Sequence, residues 1–187
     1  MAYTSRYTFT SKQQRYLKIK RFLDVFFAVL LLIPGSIIMG ICIIWIRLES
    51  KGPAIFQQRR PGYHQEIFSI YKLRSMRIEL NGEDGHPLSD DERMTKSGNF
   101  IRKTSIDELP QLINILKGEM SFIGPRPFLI NDLGTYNEEQ LVRFDVLPGI
   151  TSWTAIHGRN NQTIQEKYNH EIYYVNNIGL KLDAYIV

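Results

Sequence analysis

Phe22–Ile46 reads FLDVFFAVLLLIPGSIIMGICIIWI, 25 residues with a single charge, Asp24. At ~1.5 Å per residue, a straight helix of that length would cross a ~30 Å hydrocarbon core. Three structures fit such a run: a secretory signal, a single-span anchor, and a re-entrant hairpin that enters and leaves by one face. A signal is disfavoured because the run is too long and no small-x-small cleavage site follows it. Pro34, with Gly35 and Ser36 behind it, sits at mid-block, where it removes a helical hydrogen bond and favours a bend. Ser36 can satisfy a backbone group freed there. Both flanks are basic, with Arg15, Lys18, Lys20 and Arg21 before the block and Arg47 and Lys51 after it. Under the positive-inside rule, that symmetry suits a segment whose two ends share the cytoplasmic surface. Arg21 and Asp24, three apart, are placed to pair on a helix at the headgroup level.

Around this block the chain is ordinary globular sequence. Its 187 residues are 43% apolar and 22% charged, which excludes a disordered or low-complexity chain. A mean hydropathy of −0.22 excludes a multi-span carrier. The lone Cys42 excludes an intrachain disulfide and a Cys-rich zinc site. A net charge of +4 suits anionic partners. Three segments follow: a basic N-terminal stretch (1–21), a membrane hairpin (22–46) and a cytoplasmic catalytic domain (47–187). The expected class is α+β, a re-entrant helix-break-helix carrying a small domain with a short β-hairpin and amphipathic surface helices.

Within that domain, 54–58 and 66–73 read as strands joined by a type II turn at Arg60-Pro61-Gly62-Tyr63. Residues 81–99 are polar and read as a long functional loop. Helices are expected over 105–117, 138–147 and 163–176, the last opened by Thr163-x-x-Glu166.

Ser105-Ile106-Asp107-Glu108-Leu109-Pro110 concentrates the chemistry. Ser105 and Glu108 form a capping-box pattern that accounts for Glu108 on structural grounds. Asp107 has no such explanation. At a helix start its anion is favoured, which suits a nucleophile or a metal ligand. Lys72, Arg74 and Arg126 stand among several basic residues, half of which a lipid-facing surface would explain. Arg126, between Pro125 and Pro127, is stiffened in a way that suits bidentate phosphate contact.

These residues carry a resemblance. From Lys20 onward the chain resembles the bacterial sugar transferases, the monotopic phosphoglycosyl transferases, in Lys20-Arg21-x-x-Asp24, Gly52-Pro53-Ala54-Ile55-Phe56-Gln57-Gln58-Arg59-Arg60-x-Gly62 and Tyr71-Lys72-Leu73-Arg74-Ser75-Met76. The match continues through Arg102–Leu112, Asn114–Pro127 and Leu147-Pro148-Gly149-Ile150-Thr151. The resemblance implies transfer of a sugar-1-phosphate from a UDP-sugar to a polyprenyl phosphate such as undecaprenyl phosphate, with release of UMP and a need for Mg²⁺. It casts Asp107 as the nucleophile that forms an aspartyl phosphosugar, lying against the metal, and Glu108 as the residue assisting attack by the lipid phosphate. Lys72, Arg74 and Arg126 become phosphate-facing residues, and Asp183 the C-terminal acidic site residue.

It further implies the cytoplasmic face of a bacterial inner membrane, contact with membrane lipid, no nucleic acid, and downstream glycosyltransferases as partners. Two positions depart from the pattern: Ile33 rather than Ser precedes Pro34, and Ser152 stands where glycine commonly follows Thr151. With about 20 residues before the apolar block, the chain resembles the family's minimal catalytic form. The competing class is a membrane-tethered basic binding module without turnover, which would bind anions in a strongly salt-dependent way and need neither carboxylate.

Overall fold

The computed structural model describes residues 4–81, 86–158 and 161–187. The apolar block belongs to one long helix, α1 (Ser11–Glu49), which starts eleven residues before it. Thr10 and Gln13 cap it reciprocally: the Gln13 amide donates to Thr10 Oγ1 (3.3 Å) and the Thr10 amide to Gln13 Oε1 (3.0 Å). Helical backbone continues through Pro34, so the expected helix-break-helix is a single helix with the proline inside it, where a bend without loss of helical backbone is favoured. One missing hydrogen bond costs about 3 kcal/mol, which a 39-residue helix absorbs. The Ser36 hydroxyl also donates to the Ile33 carbonyl at 2.8 Å.

The chain forms two compact units. The first comprises Met1–Ala28, Arg59–Ser69 and Asn114–Val187. Its core joins Ile123, Val142, Val146, Tyr174, Val175 and Ile178, with Tyr7, Tyr16 and Leu17 from the N-terminal flank packed against them. The flank is also tied down by polar groups. Lys20 Nζ lies 2.7 Å from Asp183 Oδ2, and the Tyr16 hydroxyl donates to the same oxygen at 2.6 Å. Tyr174 donates to Oδ1 at 2.8 Å. Arg21 and Asp24 do not close the expected pair: Arg21 donates to the carbonyls of Ile115 (2.7 Å) and Leu116 (3.3 Å), and Asp24 accepts the Phe122 amide (3.1 Å).

Two short strands, β3 (Ser121–Ile123) and β4 (Gly149–Thr151), run parallel in this unit, Ser121 opposite Gly149 and Ile123 opposite Thr151. Backbones approach so closely beyond the pair that a Cβ on Gly124 would fall 2.3 Å from the Leu147 carbonyl, and one on Gly149 2.1 Å from the Gly124 nitrogen. Only glycine fits there. The two motifs ending in Pro127 and Thr151, separate in sequence, are thus one piece of backbone.

The second unit comprises Val29–Gln58 and Ile70–Ile113. Its apolar cluster joins Cys42 and Ile46 of α1 to Ala54, Leu73 and Ile101, with Ile106 packed alongside. The end of α1 is fixed twice. Arg74 donates to the Ser50 carbonyl (2.9 Å) and to that of Lys51, and Glu49 accepts the amides of Lys96 (2.6 Å) and Ser97 (2.8 Å).

The hairpin strands are β1 (Ile55–Pro61) and β2 (Ile67–Leu73). Their connection is not the expected type II turn. Pro61 still belongs to the strand, and a 3-10 turn at Tyr63–Gln65 closes the loop, with Gly62 donating to the Glu66 carbonyl at 2.8 Å. The 81–99 stretch, read as a loop, holds two short helices, α2 (Asp90–Arg93) and α3 (Lys96–Lys103). Ser89 and Thr95 cap them, a local hydrogen-bond signal that the stretch's polarity masks. Part of the expected loop, 82–85, lies outside the described residues.

The expected 138–147 helix is a 3-10 segment, Gln140–Asp145. The expected 163–176 helix is present as α6 (Ile164–Asn176) after α4 (Gln111–Lys117) and α5 (Trp153–Ile156), with the Thr163–Glu166 capping box formed; α7 is Leu180–Ile186.

Asp183 is 4% exposed and Lys20 8%. Asp183→Ala leaves that ammonium buried without its carboxylate, so it is expected to lower stability by about 3–5 kcal/mol, read as a fall in the thermal midpoint of the detergent-solubilised protein.

Candidate active site

The carboxylate pair sits on a sharp turn of the second unit, not at the head of the expected 105–117 helix. Ser105 adopts a left-handed conformation (φ 57°) and makes no side-chain cap, so the capping box is absent. Ile106–Glu108 is a single 3-10 turn. Pro110 explains the interruption, because its nitrogen cannot donate back to Ile106 and the backbone falls to tighter bonds. Leu109 donates to Ile106 (3.1 Å), Leu112 to Leu109 (3.1 Å) and Ile113 to Pro110 (3.1 Å). α4 begins only at Gln111.

This turn stands on α1. Ile106 packs beside the Cys42–Ile46 cluster, and a Cβ on Gly35 would lie 3.8 Å from Leu109 and 3.9 Å from Leu112. The apolar neighbours of the carboxylates therefore rest on the middle of the apolar helix. Glu108 Oε1 pairs with Lys72 Nζ at 2.7 Å, both side chains 28% exposed. Lys72, expected to face phosphate, is thus already a partner of the second carboxylate. For Asp107, burial pushes the carboxyl above its ordinary range; Lys72 and Arg102 pull it down and Glu108 pushes it up. Burial outweighs the helix-start effect that the sequence suggests, because a single 3-10 turn carries little dipole.

Arg74, expected to face phosphate, is 6% exposed and bonds the Ser50 and Lys51 carbonyls, which fixes the end of α1. Asp183 is likewise engaged at both oxygens by Tyr16, Lys20 and Tyr174, which gives it a structural role in the first unit.

Arg126, also in the first unit, is exposed. Its peptide group, however, is held on both sides. Glu171 Oε1 accepts the Arg126 amide at 3.1 Å, and Arg143 donates to the Arg126 carbonyl. The two holders are themselves a buried pair: Arg143 Nη2 lies 3.3 Å from Glu171 Oε2, with side chains 3% and 1% exposed. Sequence reading missed both residues, since each falls in a polar helical stretch with no local mark. Arg60 lies near enough to Arg126 that burial and then the Arg126 charge lower its pKa, while Asp132 raises it.

The second unit thus carries a half-buried carboxylate beside an ion-paired one on a tight turn, and the first unit separately carries an exposed arginine on a held backbone. The description "Bacterial sugar transferase" matches residues 15–187, and the chain belongs to that family. It is a phosphoglycosyl transferase. It is 44% identical over 169 residues to the uncharacterized sugar transferase EpsL of Bacillus subtilis (strain 168), covering 90% of this chain and 83% of that one. It is 35% identical to the UDP-glucose:undecaprenyl-phosphate glucose-1-phosphate transferase of Escherichia coli (strain K12), and 40% to the UDP-N-acetylgalactosamine-undecaprenyl-phosphate N-acetylgalactosaminephosphotransferase of Aeromonas hydrophila. These two matches cover 90% and 92% of this chain but 38% and 42% of those longer relatives.

Ser105→Gly is expected to preserve the turn and turnover, because glycine adopts positive φ freely. Ser105→Val should cost about 1–2 kcal/mol and depress turnover, read by thermal unfolding and UMP release on the same preparations.

Proposed function

We propose that this chain transfers a sugar-1-phosphate from a UDP-sugar to undecaprenyl phosphate or a similar polyprenyl phosphate, through a covalent intermediate on Asp107. The observation that carries the reading is the turn itself: Asp107 has no salt-bridge partner among the described residues, whereas Glu108 is ion-paired to Lys72. In the first half-reaction an Asp107 oxygen attacks the phosphorus bearing the sugar. The P–O bond to the uridylyl phosphate breaks, UMP leaves with that electron pair, and an acyl phosphosugar remains. In the second, an oxygen of the polyprenyl phosphate attacks the same phosphorus. The bond to Asp107 breaks, returning the carboxylate and giving a lipid diphosphate sugar. Glu108, poised by Lys72, assists this second attack; Arg126, in the first unit, is read by itself as a phosphate-binding residue.

The donor set fits Mg²⁺ shared with substrate. Among the described residues no three His, Cys, Asp or Glu side chains cluster as a cage, and Mg²⁺ is commonly held by one or two carboxylates with substrate phosphates completing the shell. Asp107 would be the protein ligand. The ion, when bound, supplies positive charge to the diphosphate.

The acceptor is a lipid, so placement at a bilayer matters. The protein is membrane-associated through α1, whose mean hydropathy reaches 2.7 over its most apolar window, and side chains such as Phe22, Ile33, Ile37 and Leu48 are well exposed. We infer that the block enters and leaves by the cytoplasmic face, bending at Pro34. Support comes from within the first unit. Lys20 and Arg21 precede the block and Asp24 lies at its start, yet they bond Asp183, Ile115, Leu116 and Phe122, which follow it. A helix crossing the bilayer would hold those groups on opposite sides.

With UDP-sugar and Mg²⁺ but no lipid, the wild type should release up to one equivalent of UMP and gain the mass of one phosphosugar on the peptide containing Asp107. Asp107→Asn should abolish both. Glu108→Gln should keep the labelling and slow the lipid-dependent step by ~10²-fold or more. UMP release only after lipid addition, with unmodified protein mass, would overturn the covalent reading.

In a Cys42→Ser background, single cysteines at Lys12 and Lys51 should both react with an impermeant maleimide only when the cytoplasmic side is opened. Labelling from opposite sides would sink the re-entrant reading.

A further inference from the structure

Arg126 poses a physical problem. Its side chain is exposed, it stands near a second arginine, Arg60, and like charges in proximity drive each other apart unless the backbone beneath them is fixed. Fixing it is what the surrounding residues do. The Arg126 amide donates to Glu171 Oε1 (3.1 Å), and the Arg126 carbonyl accepts from Arg143. Glu171 Oε1 also accepts the Thr154 hydroxyl at 2.9 Å. Arg143 Nη1 donates to the Tyr136 hydroxyl at 2.9 Å, and its guanidinium lies over the Phe128 ring, 4.2 Å from the centroid.

Both holders are almost wholly buried, at 4% and 2% exposure. A buried ion pair is rarely worth its desolvation as a source of stability. Here both charges make directed bonds to a single residue's peptide group. We propose that Arg143 and Glu171 are positioning residues: a buried clamp that fixes the Arg126 backbone so that its guanidinium holds a diphosphate oxygen.

The proposal rests on Arg126 serving the diphosphate, and it adds that the service depends on the clamp. Arginine is required at 143 because two bonds leave one planar group in different directions, to a carbonyl and a phenol, while its faces pack on aromatic rings. Lysine keeps the charge toward Glu171 and loses this geometry. Tyr136→Phe removes one bond only and leaves the buried pair intact, so it reports on the clamp even if Arg143→Lys folds poorly.

The test is a double-mutant cycle on the full-length, detergent-solubilised protein. Pyrophosphate affinity would be measured by calorimetry, kcat/KM for the UDP-sugar by UMP release, and folding by the thermal midpoint. Arg126→Ala should weaken pyrophosphate binding and lower kcat/KM by ~10²-fold. Arg143→Lys should cost roughly 10-fold and Tyr136→Phe roughly 3-fold in the wild-type background, with neither lowering either quantity further once Arg126 is alanine. A purely structural role would move the thermal midpoint and multiply the losses in both backgrounds. Losses that multiply, or an Arg143→Lys variant with wild-type pyrophosphate binding, would overturn the clamp and leave the diphosphate role of Arg126 standing. An Arg126→Ala variant with undiminished binding and turnover would overturn that role and the clamp with it, while the Asp107 labelling experiment would still judge the covalent reaction.

Discussion

The contact between the middle of α1 and the carboxylate turn is the constraint from which the second unit's arrangement follows. Leu109 and Leu112 lie against the helix at Gly35, next to its proline. Ile106 packs on the other side of the carboxylates, beside Cys42 and Ile46. The apolar residues flanking Asp107 and Glu108 are thereby committed to the membrane helix. The carboxylates are held beside the apolar helix.

The first unit solves a related problem with buried charge. Asp183 gathers Lys20, Tyr16 and Tyr174, and Glu171 gathers Arg143, Thr154 and the Arg126 amide. Each carboxylate is nearly inaccessible and bonded at both oxygens, as burial of an ion demands. Each also binds segments remote in sequence: the first ties the N-terminal flank of the apolar block to the last helix, the second ties the proline-flanked arginine loop to α6. Asp183 and Arg74, both given site roles by the resemblance, are engaged by structural bonds, while Arg143, which lies in no motif, bonds the backbone of Arg126, which lies in one.

Backbone conformation supplies the remaining precision. Ser105 in the left-handed region and Pro110 without an amide confine Asp107 and Glu108 to one tight turn between α3 and α4. Gly124 and Gly149 let two loops approach to a separation that no other residue permits. The Arg126 segment leaves that junction as rigid chain. Strain and close packing of this kind accumulate where a side chain must be held in place against an unfavourable charge.

By itself the sequence determined the elements whose cause is local. The apolar run from Phe22 to Ile46 marked a segment of membrane-crossing length, Thr163 and Glu166 marked the start of α6, and Asp107 beside Glu108 stood out because capping did not explain both. The strands of the hairpin were legible from composition for the same reason. The 3-10 turn at Asp107 was not, because the apolar spacing of residues 106–116 imitates a helix while Pro110 decides against it. Helical continuity through Pro34, the Lys72–Glu108 pair, the engagement of Arg74 with the end of α1, and the burial of Asp183 and Glu171 were decided only by the tertiary structure. Each depends on partners up to 167 residues apart, as in the Tyr16–Asp183 bond. Over such separations side-chain chemistry states what a residue can bind, but only the folded chain brings the partner within reach.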